Sequence, residues 1–341
     1  MSAKLSVADR LLDWYDANAR VLPWRTPPGG PAADPYRVWL SEVMLQQTTV
    51  AAVRPRFERW VTRWGDVASL AAADEAEVMA AWAGLGYYAR ARNLLATARA
   101  VVAEHGGRFP TTEAELRRLP GLGDYTAAAV AAIAFGRRAV VVDANVKRVV
   151  ARLFALPGGD VRPFADRITP DARAGDFAQA MMDLGATLCT PRNPRCLSCP
   201  LRPDCAGFAA GTPEAFPARP AKKPRPRRHG TMFWLTRGDA VLLVRRPAKG
   251  LLGGMRALPT GPWADAPPGL ADAPADADWS MLDAHIDHGF THFTLTIGLA
   301  AADAGAQETA GEWWPVADLS RAGLPTVFAR AAEVFRRTLC T

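Results

Sequence analysis

Four cysteines, Cys189, Cys196, Cys199 and Cys205, fall within seventeen residues at the spacing C-x6-C-x2-C-x5-C. So short a loop brings four thiolates to one centre, and Pro191, Pro194, Pro200 and Pro203 stiffen it. Zinc usually takes two well-separated short knuckles. Four thiols in one compact loop fit a cubane iron–sulfur cluster better, with zinc as the alternative. The same loop can simply present Arg192, Arg195 and Arg202 to phosphates. A secreted disulfide framework would spread its cysteines more widely. The fifth, Cys340, stands apart near the C-terminus with no role that follows from its position.

A second signal is Leu119-Pro120-Gly121-Leu122-Gly123, a tight glycine turn between two helical stretches. Gly121 and Gly123 let backbone N–H groups converge at a helix N-terminus, which favours an anion such as phosphate. Gly-x-Gly alone is usually a plain turn, but here Asp143 follows about twenty residues on. That order is a helix–hairpin–helix followed by a carboxylate. Asp143 is also an ordinary N-cap for the helix after it. Glu42 lies mid-helix among Trp39, Val43 and Leu45, where a glutamate is most often just solvated.

The elements that position these residues are mostly helical through the first two thirds of the chain. Ser6-Val7-Ala8-Asp9 reads as a capping box. Asp34-Pro35 reads as an N-cap with proline at the first helical position, opening a helix to Leu45. Helical patterns cover 66–82 and 88–104, and Thr112-x-x-Glu115 is a second capping box. Further helices are predicted over Tyr125–Phe135, Ala144–Phe154 and Phe177–Cys189. After Gly211 the composition turns to proline and base, which reads as a linker. Beyond it the period approaches two. Met232–Arg237 and Ala240–Arg246 flank Gly238-Asp239 as a hairpin, Phe290–Leu299 is a strand, and Pro325–Leu339 a closing helix.

Apolar residues make up 49% of the 341-residue chain, which argues for folded domains. No uninterrupted apolar run is long enough to span a bilayer, and the N-terminus does not read as a signal peptide. A place in the cytoplasm, on the nucleoid, is expected. The net charge is +7, and residues 219–228 carry six bases without an acid, so the remainder holds +1. That stretch is either a solvated linker or a strap for phosphates.

Taken together, several segments resemble the adenine DNA glycosylase (MutY) family, within the helix–hairpin–helix glycosylase superfamily. They are Trp39-Leu40-Ser41-Glu42-Val43-Met44-Leu45-Gln46-Gln47-Thr48, Gly84-Leu85-Gly86-Tyr87-Tyr88-Ala89-Arg90-Ala91-Arg92, the Leu119–Gly123 turn, Asp143-Ala144-Asn145-Val146, the four cysteines, and Phe290-Thr291-His292. The family pattern usually has glycine where this chain has Ala144. The resemblance implies a multidomain chain. An all-α glycosylase module with its cysteine loop occupies 1–211, a basic linker 212–230, and a small α+β Nudix-like domain 231–341. It also implies a [4Fe–4S] cluster on Cys189, Cys196, Cys199 and Cys205.

The resemblance further implies the chemistry. A monofunctional enzyme would hydrolyse the N-glycosidic bond of adenine opposite 8-oxoguanine or guanine in double-stranded DNA, in base excision repair. Glu42 would protonate adenine N7, provided that burial raises its pKa. Asp143 would stabilise the oxocarbenium-like sugar, with Asn145 orienting it. At Tyr125 the related endonuclease III family has a lysine that forms a Schiff base. A phenol cannot form an imine, so no lyase step is expected. Gln46, Gln47, Leu85 and Tyr87 resemble a wedge that fills the stack after base extrusion, with Thr48 beside it. Arg25 and Gln179 are expected at the adenine, Gly121 and Gly123 at phosphate, and Lys147 and Arg148 at phosphate or solvent. Phe290, Thr291 and His292 would read 8-oxoguanine, His292 foremost. No glutamate lies between Glu214 and Glu308, so the Nudix-like domain cannot hold magnesium as a Nudix hydrolase does. A monomer acting on DNA lodged between the two lobes, and no membrane partner, complete the expectation. An endonuclease III-like glycosylase/lyase and a non-catalytic iron–sulfur DNA-binding protein are the alternatives.

Overall fold

The computed structural model describes residues 6–218, 224–247 and 250–339. Arg219, Lys222, Lys223 and Cys340 therefore lie outside the described residues. The chain divides into two compact units, Met1–Ala73 with Asn93–Ala221, and Asp74–Arg92 with Lys222–Thr341.

The first unit is helical. Ser6 and Asp9 form the expected capping box at α1 (Val7–Asn18). Asp34 accepts from the N–H groups of Tyr36 and Arg37 and starts α2 (Pro35–Leu45). Thr49 caps α3 (Val50–Arg63). The single helix expected over 66–82 is instead two, α4 (Val67–Ala71) in this unit and α5 (Glu75–Ala81) in the other. Asp74 is the cause: its carboxylate captures the N–H groups of Ala76 and Glu77 and begins a new helix. Then follow α6 (Ala89–His105), α7 (Glu113–Leu116), α8 (Asp124–Phe135), α9 (Ala144–Leu153), α10 (Arg162–Ile168), α11 (Ala174–Thr187) and α12 (Ala206–Ala209). The sequence reading did not contain α10. The alanine-rich α8 is buried nearly all round, from Thr126 to Ala132 without a break. It packs on α2, α7 and α11, and α11 packs on α1 and α9.

Small residues set how closely these helices approach. A Cβ on Gly185 of α11 would stand 2.6 Å from Asn145 Cβ of α9. Gly121, at φ 74°, turns the hairpin, and a Cβ there would meet Asn93 Cβ at 2.5 Å.

The second unit is built on a mixed sheet in the order β3-β2-β1-β5-β4, with β6 also pairing β2. Its strands are β1 (Arg227–Arg237), β2 (Ala240–Arg245), β3 (Arg256–Ala257), β4 (Ser280–Gly289), β5 (Thr294–Asp303) and β6 (Glu312–Pro315). The Gly238-Asp239 hairpin joins β1 and β2 as expected. β1 reaches back to Arg227, inside the stretch read as linker, because its parallel ladder with β5 runs from Arg227↔Thr294 to Thr236↔Asp303. The strand expected from Phe290 begins only at Thr294. Residues 290–293 are a turn, closed by Phe290 N–H donating to the Phe293 carbonyl at 2.8 Å. β4 escaped the sequence reading because it is an edge strand: only Ile286 is buried among Asp283, His285, Asp287 and His288. α13 (Thr326–Leu339) lays Val327, Phe328, Ala331 and Phe335 on the sheet, where Phe335 stacks on Trp234 at 5.1 Å.

Among the described residues no helix is long and apolar enough to cross a membrane.

Gly185→Ala tests the α9–α11 approach. Pushing the helices apart should cost about 1–3 kcal/mol of overpacking strain, read as a lowered urea midpoint with unchanged slope.

Candidate active site and cysteine loop

A wide cleft in the first unit gathers residues from several parts of the chain, Met182 and Ala186 of α11 among them. Leu22, Trp24 and Arg25 come from the segment after α1, and Glu42 and Leu45 from α2. Gln46, Gln47 and Thr48 follow from the next turn, then Gly121, Gly123 and Tyr125 from the hairpin and α8. Asp143, Ala144 and Asn145 stand at the start of α9. Ten of the residues that the sequence singled out, from Arg25 to Asn145, thus meet in one place.

Glu42 is its buried acid, 6% exposed. Tyr125 OH donates to Glu42 Oε2 at 2.5 Å. Burial drives the Glu42 pKa up, and the nearby Asp143 pushes the same way. The Tyr125 hydrogen bond and the Arg25 guanidinium oppose without overcoming it. Burial, with the Glu42 and Asp143 charges, lifts the Tyr125 phenol well above its ordinary value, so it stays a donor.

Asp143 does two jobs at once. Oδ1 accepts from the Val146 N–H at 2.7 Å, which makes it the α9 N-cap, and Oδ2 accepts from Asn145 Nδ2 at 2.9 Å. The N-cap reading of this residue therefore holds, and Asp143 still lines the cleft. Asn145 is itself held, because Arg148 Nη2 donates to Asn145 Oδ1 at 2.9 Å and to the Gly185 carbonyl at 2.6 Å. Arg148 Nε donates to the Cys189 carbonyl at 2.7 Å. The expectation that Arg148 faces phosphate or solvent is thus wrong: its guanidinium turns inward and ties α9 to α11 and the cysteine loop. Lys147 is exposed as expected.

The amide residues divide. Gln46 Nε2 donates to Thr126 Oγ1 at 3.1 Å, Gln47 takes a left-handed φ of 55°, and the Thr48 hydroxyl donates to the Gln46 carbonyl at 3.2 Å. Gln179 is 5% exposed inside α11 and is not part of the cleft wall. Gly123 leaves the first turn of α8 without a side-chain cap, so those N–H groups keep their capacity for an anion.

In the second unit, Arg90 donates to the carbonyls of Leu85 at 2.8 Å and Gly86 at 3.2 Å, and Trp82 Nε1 donates to Gly86 O at 3.0 Å. These bonds shape a turn in which Leu85 is buried while Tyr87, at φ 48°, is 47% exposed. Tyr87 OH and Thr291 Oγ1 are 2.7 Å apart. Phe290 is absorbed in packing, stacked on Trp263 at 5.5 Å and near Phe293 at 4.9 Å. Thr291 and His292 are exposed beside it.

The four cysteines line one small hollow together with Arg152, Leu188, Pro194, Arg195, Arg202 and Phe208. No disulfide joins them. Among the described residues no three His, Cys, Asp or Glu side chains converge as ligands of a single metal ion. Burial raises Cys199 to about 11 and moves Cys196 and Cys205 in the same direction. Arg152, 2% exposed, donates to Cys189 Sγ at 3.3 Å and to the Thr190 carbonyl at 2.7 Å.

Sequence reasoning missed the inward role of Arg148, and it missed Arg152 and Asp183 altogether. All three are charged residues within strongly apolar helical patterns, and that mismatch was the only available signal. Asp183 is wholly buried and accepts from Arg20 and Arg25.

A melting experiment checks the state of Glu42. A carboxyl whose folded pKa exceeds its unfolded value gives up stability as pH rises through that interval, at about 1.4 kcal/mol per unit of displacement. Glu42→Gln removes this ionisation. The melting temperatures of variant and wild type should agree near pH 4, with the variant pulling ahead as pH rises; a gap independent of pH would contradict the raised pKa.

Residues 40–163 match the HhH-GPD superfamily base excision DNA repair protein family, and residues 231–334 match the NUDIX domain family. The adenine DNA glycosylase of Mycolicibacterium smegmatis is 43% identical over an alignment covering 59% of this chain and 71% of that protein. The human adenine DNA glycosylase is 38% identical over 74% of this chain and 57% of its own length. The chain spans 44–59% of the mammalian and Arabidopsis relatives it matches. Among solved structures, a thermostable thymine-DNA glycosylase is 29% identical with a TM-score of 0.53, covering 60% of this chain and 95% of that one. A trapped endonuclease III–DNA intermediate is 26% identical with a TM-score of 0.51, covering 60% and 94%. With its helical glycosylase module followed by a Nudix-like mixed-sheet domain, the chain belongs to the adenine DNA glycosylase family.

Proposed function

We propose that this chain removes adenine paired with 8-oxoguanine or guanine in double-stranded DNA, by hydrolysis and without cutting the strand. The observation that carries the reading is the buried Glu42 carboxyl bonded to Tyr125 in the same cleft as Asp143 and Asn145. Neutral adenine leaves poorly, so a proton must reach its ring as the bond to the sugar breaks. Glu42, kept protonated by burial, delivers that proton to N7, and Tyr125 fixes the direction of its carboxyl. The C1′–N9 electrons depart with the base. The carboxylate of Asp143 then faces the positive charge left on the sugar, held in place by Asn145 and the N–H of Val146. Water adds to C1′, and its proton returns to Glu42. With a phenol rather than an amine at position 125, no imine with the sugar can form.

The remaining roles follow the same reading. Arg25 contacts the extruded adenine, whereas Gln179, buried in α11 away from the cleft wall, supports it from behind. Gln46, Gln47 and Thr48 take the space of the displaced base, and the turn of Leu85 and Tyr87 contacts the DNA duplex. Gly121 and Gly123 free the first N–H groups of α8 for a phosphate. Thr291 and His292 read the opposite base, with Phe290 as their packed support. In this division the helical unit is catalytic, the stretch from 212 to the start of β1 at Arg227 links, and the sheet unit that follows recognises; the protein acts as a monomer on the nucleoid.

Cys189, Cys196, Cys199 and Cys205 fit a [4Fe–4S] cluster. They are soft donors only, around a hollow, and burial at Cys196, Cys199 and Cys205 disfavours the free thiolate until a cation is present. Such a cluster would crosslink the loop that carries Arg192, Arg195 and Arg202. Purified protein should contain iron and acid-labile sulfide in equal amounts; zinc without sulfide would replace this assignment.

Single-turnover adenine release from a duplex with one adenine opposite 8-oxoguanine tests the reaction. Wild type should release adenine and yield strand breaks only after hot alkali. Glu42→Gln should lose at least about a hundredfold in rate, the low end for one acid catalyst, while still binding duplex. Breaks without alkali would favour a lyase. No release by cluster-loaded wild type would leave a DNA-binding protein.

A further inference from the structure

Asp183 sits on α11 with no solvent exposure, so its carboxylate must be matched to remain charged. It is matched by two guanidinium side chains from the segment after α1. Arg20 donates its backbone N–H to Oδ2 at 3.0 Å and its Nε to Oδ1 at 2.6 Å. Arg25 Nη1 donates to Oδ2 at 2.7 Å. Asp183 does not line the cleft, but Arg20 and Arg25 do. The Arg25 side chain is only 8% exposed. We propose that Asp183 is a positioning residue whose buried carboxylate fixes Arg25 in the cleft wall and neutralises that guanidinium beside Glu42. The inference rests on the glycosylase reading and adds a charge partner to its acid.

The argument is one of charge balance in a poorly solvated site. The groups facing Glu42 are Tyr125 from α8, Asp143 at the start of α9, and Arg25. Tyr125 donates a hydrogen bond and Asp143 is a like charge; Arg25 is the cation that draws Glu42 toward its ionised form. An unmatched guanidinium there would work against an acid that must carry a proton at neutral pH. Asp183 answers it at direct hydrogen-bond distance, and Arg20 shares the carboxylate. Tyr15, wholly buried, also feels Arg25 and Asp183. A simple clamp between α11 and the segment after α1 would need the same contacts, but it would leave the protonation of Glu42 unchanged.

The test uses two readouts in Asp183→Asn, with the chain otherwise intact. In the pH profile of single-turnover adenine release, the alkaline limb should move to lower pH while the acid plateau is kept. A move of one unit lowers the neutral-pH rate about tenfold. Independently of catalysis, the pH-dependent melting gap between Glu42→Gln and its parent should shrink when both also carry Asp183→Asn. Arg25→Gln should do the reverse, moving the limb to higher pH even if its overall rate falls, and it decides the matter should Asp183→Asn not fold. A rate loss equal at every pH, or an alkaline limb that Arg25→Gln leaves in place, would reduce Asp183 to a clamp. Wild type that releases no adenine would refute the glycosylase reading, while the melting gap would still report on Asp183.

Discussion

A carboxyl group held out of water is the constraint around which the first unit is arranged. Glu42 has no business inside a helix packed with Trp39, Leu40, Val43 and Met44 unless the surroundings give it a partner and a reason to keep its proton. The structure supplies both, through a phenol on α8 and a second carboxylate at the start of α9. Each of these comes from a different helix. The chemistry therefore depends on how closely α2, α8, α9 and α11 approach, and alanine and glycine along α8 and α11 decide that approach. A bulkier seam would separate the acid from its partners without touching either.

The same seam connects the cleft to the cysteine loop. Arg148 spends its guanidinium on Asn145, Gly185 and the Cys189 carbonyl, and Arg152 spends its own on Cys189 Sγ and the turn after it. Two arginines one helical turn apart on α9 thus hold the neighbour of Asp143 and the first cysteine in one hydrogen-bonded frame. Whatever the loop binds, its first residue is tied to the geometry at Asp143. Buried arginines suit this work because one planar fork serves several carbonyls at once.

The second unit follows a different logic. A parallel β1–β5 pair at the centre of an otherwise antiparallel sheet, covered by α13, provides a stiff base for the short turn at 290–293. Phe290 anchors that turn among Trp263, Phe293 and His288, which leaves Thr291 and His292 outward. Packing and presentation are divided between adjacent residues of one turn, so the plain reading of Phe290 as core and the functional reading of the motif are compatible.

Local signals were legible in the sequence wherever the cause was itself local. The caps at Ser6, Asp34 and Asp143, the hairpin at Gly121, the break at Gly238-Asp239 and the cysteine spacing all depend on residues within a few positions of one another. So did the residue types at 42, 125 and 143, once their motifs were read together. Asp74 was visible as well, but a cap inside a continuous helical pattern is easily passed over. Partners chosen at long range were not legible. Nothing near position 183 announces that its carboxylate will meet Arg20 and Arg25, and nothing near 148 says that an arginine will turn inward instead of toward solvent. The edge strand β4 hid for a related reason, since a strand buried at only one residue carries little hydrophobic period. The sequence by itself determined which groups were available and which helices would carry them. The tertiary structure decided which charges were neutralised and which acid stayed dry, because burial and Coulomb interaction depend on distances that only packing sets.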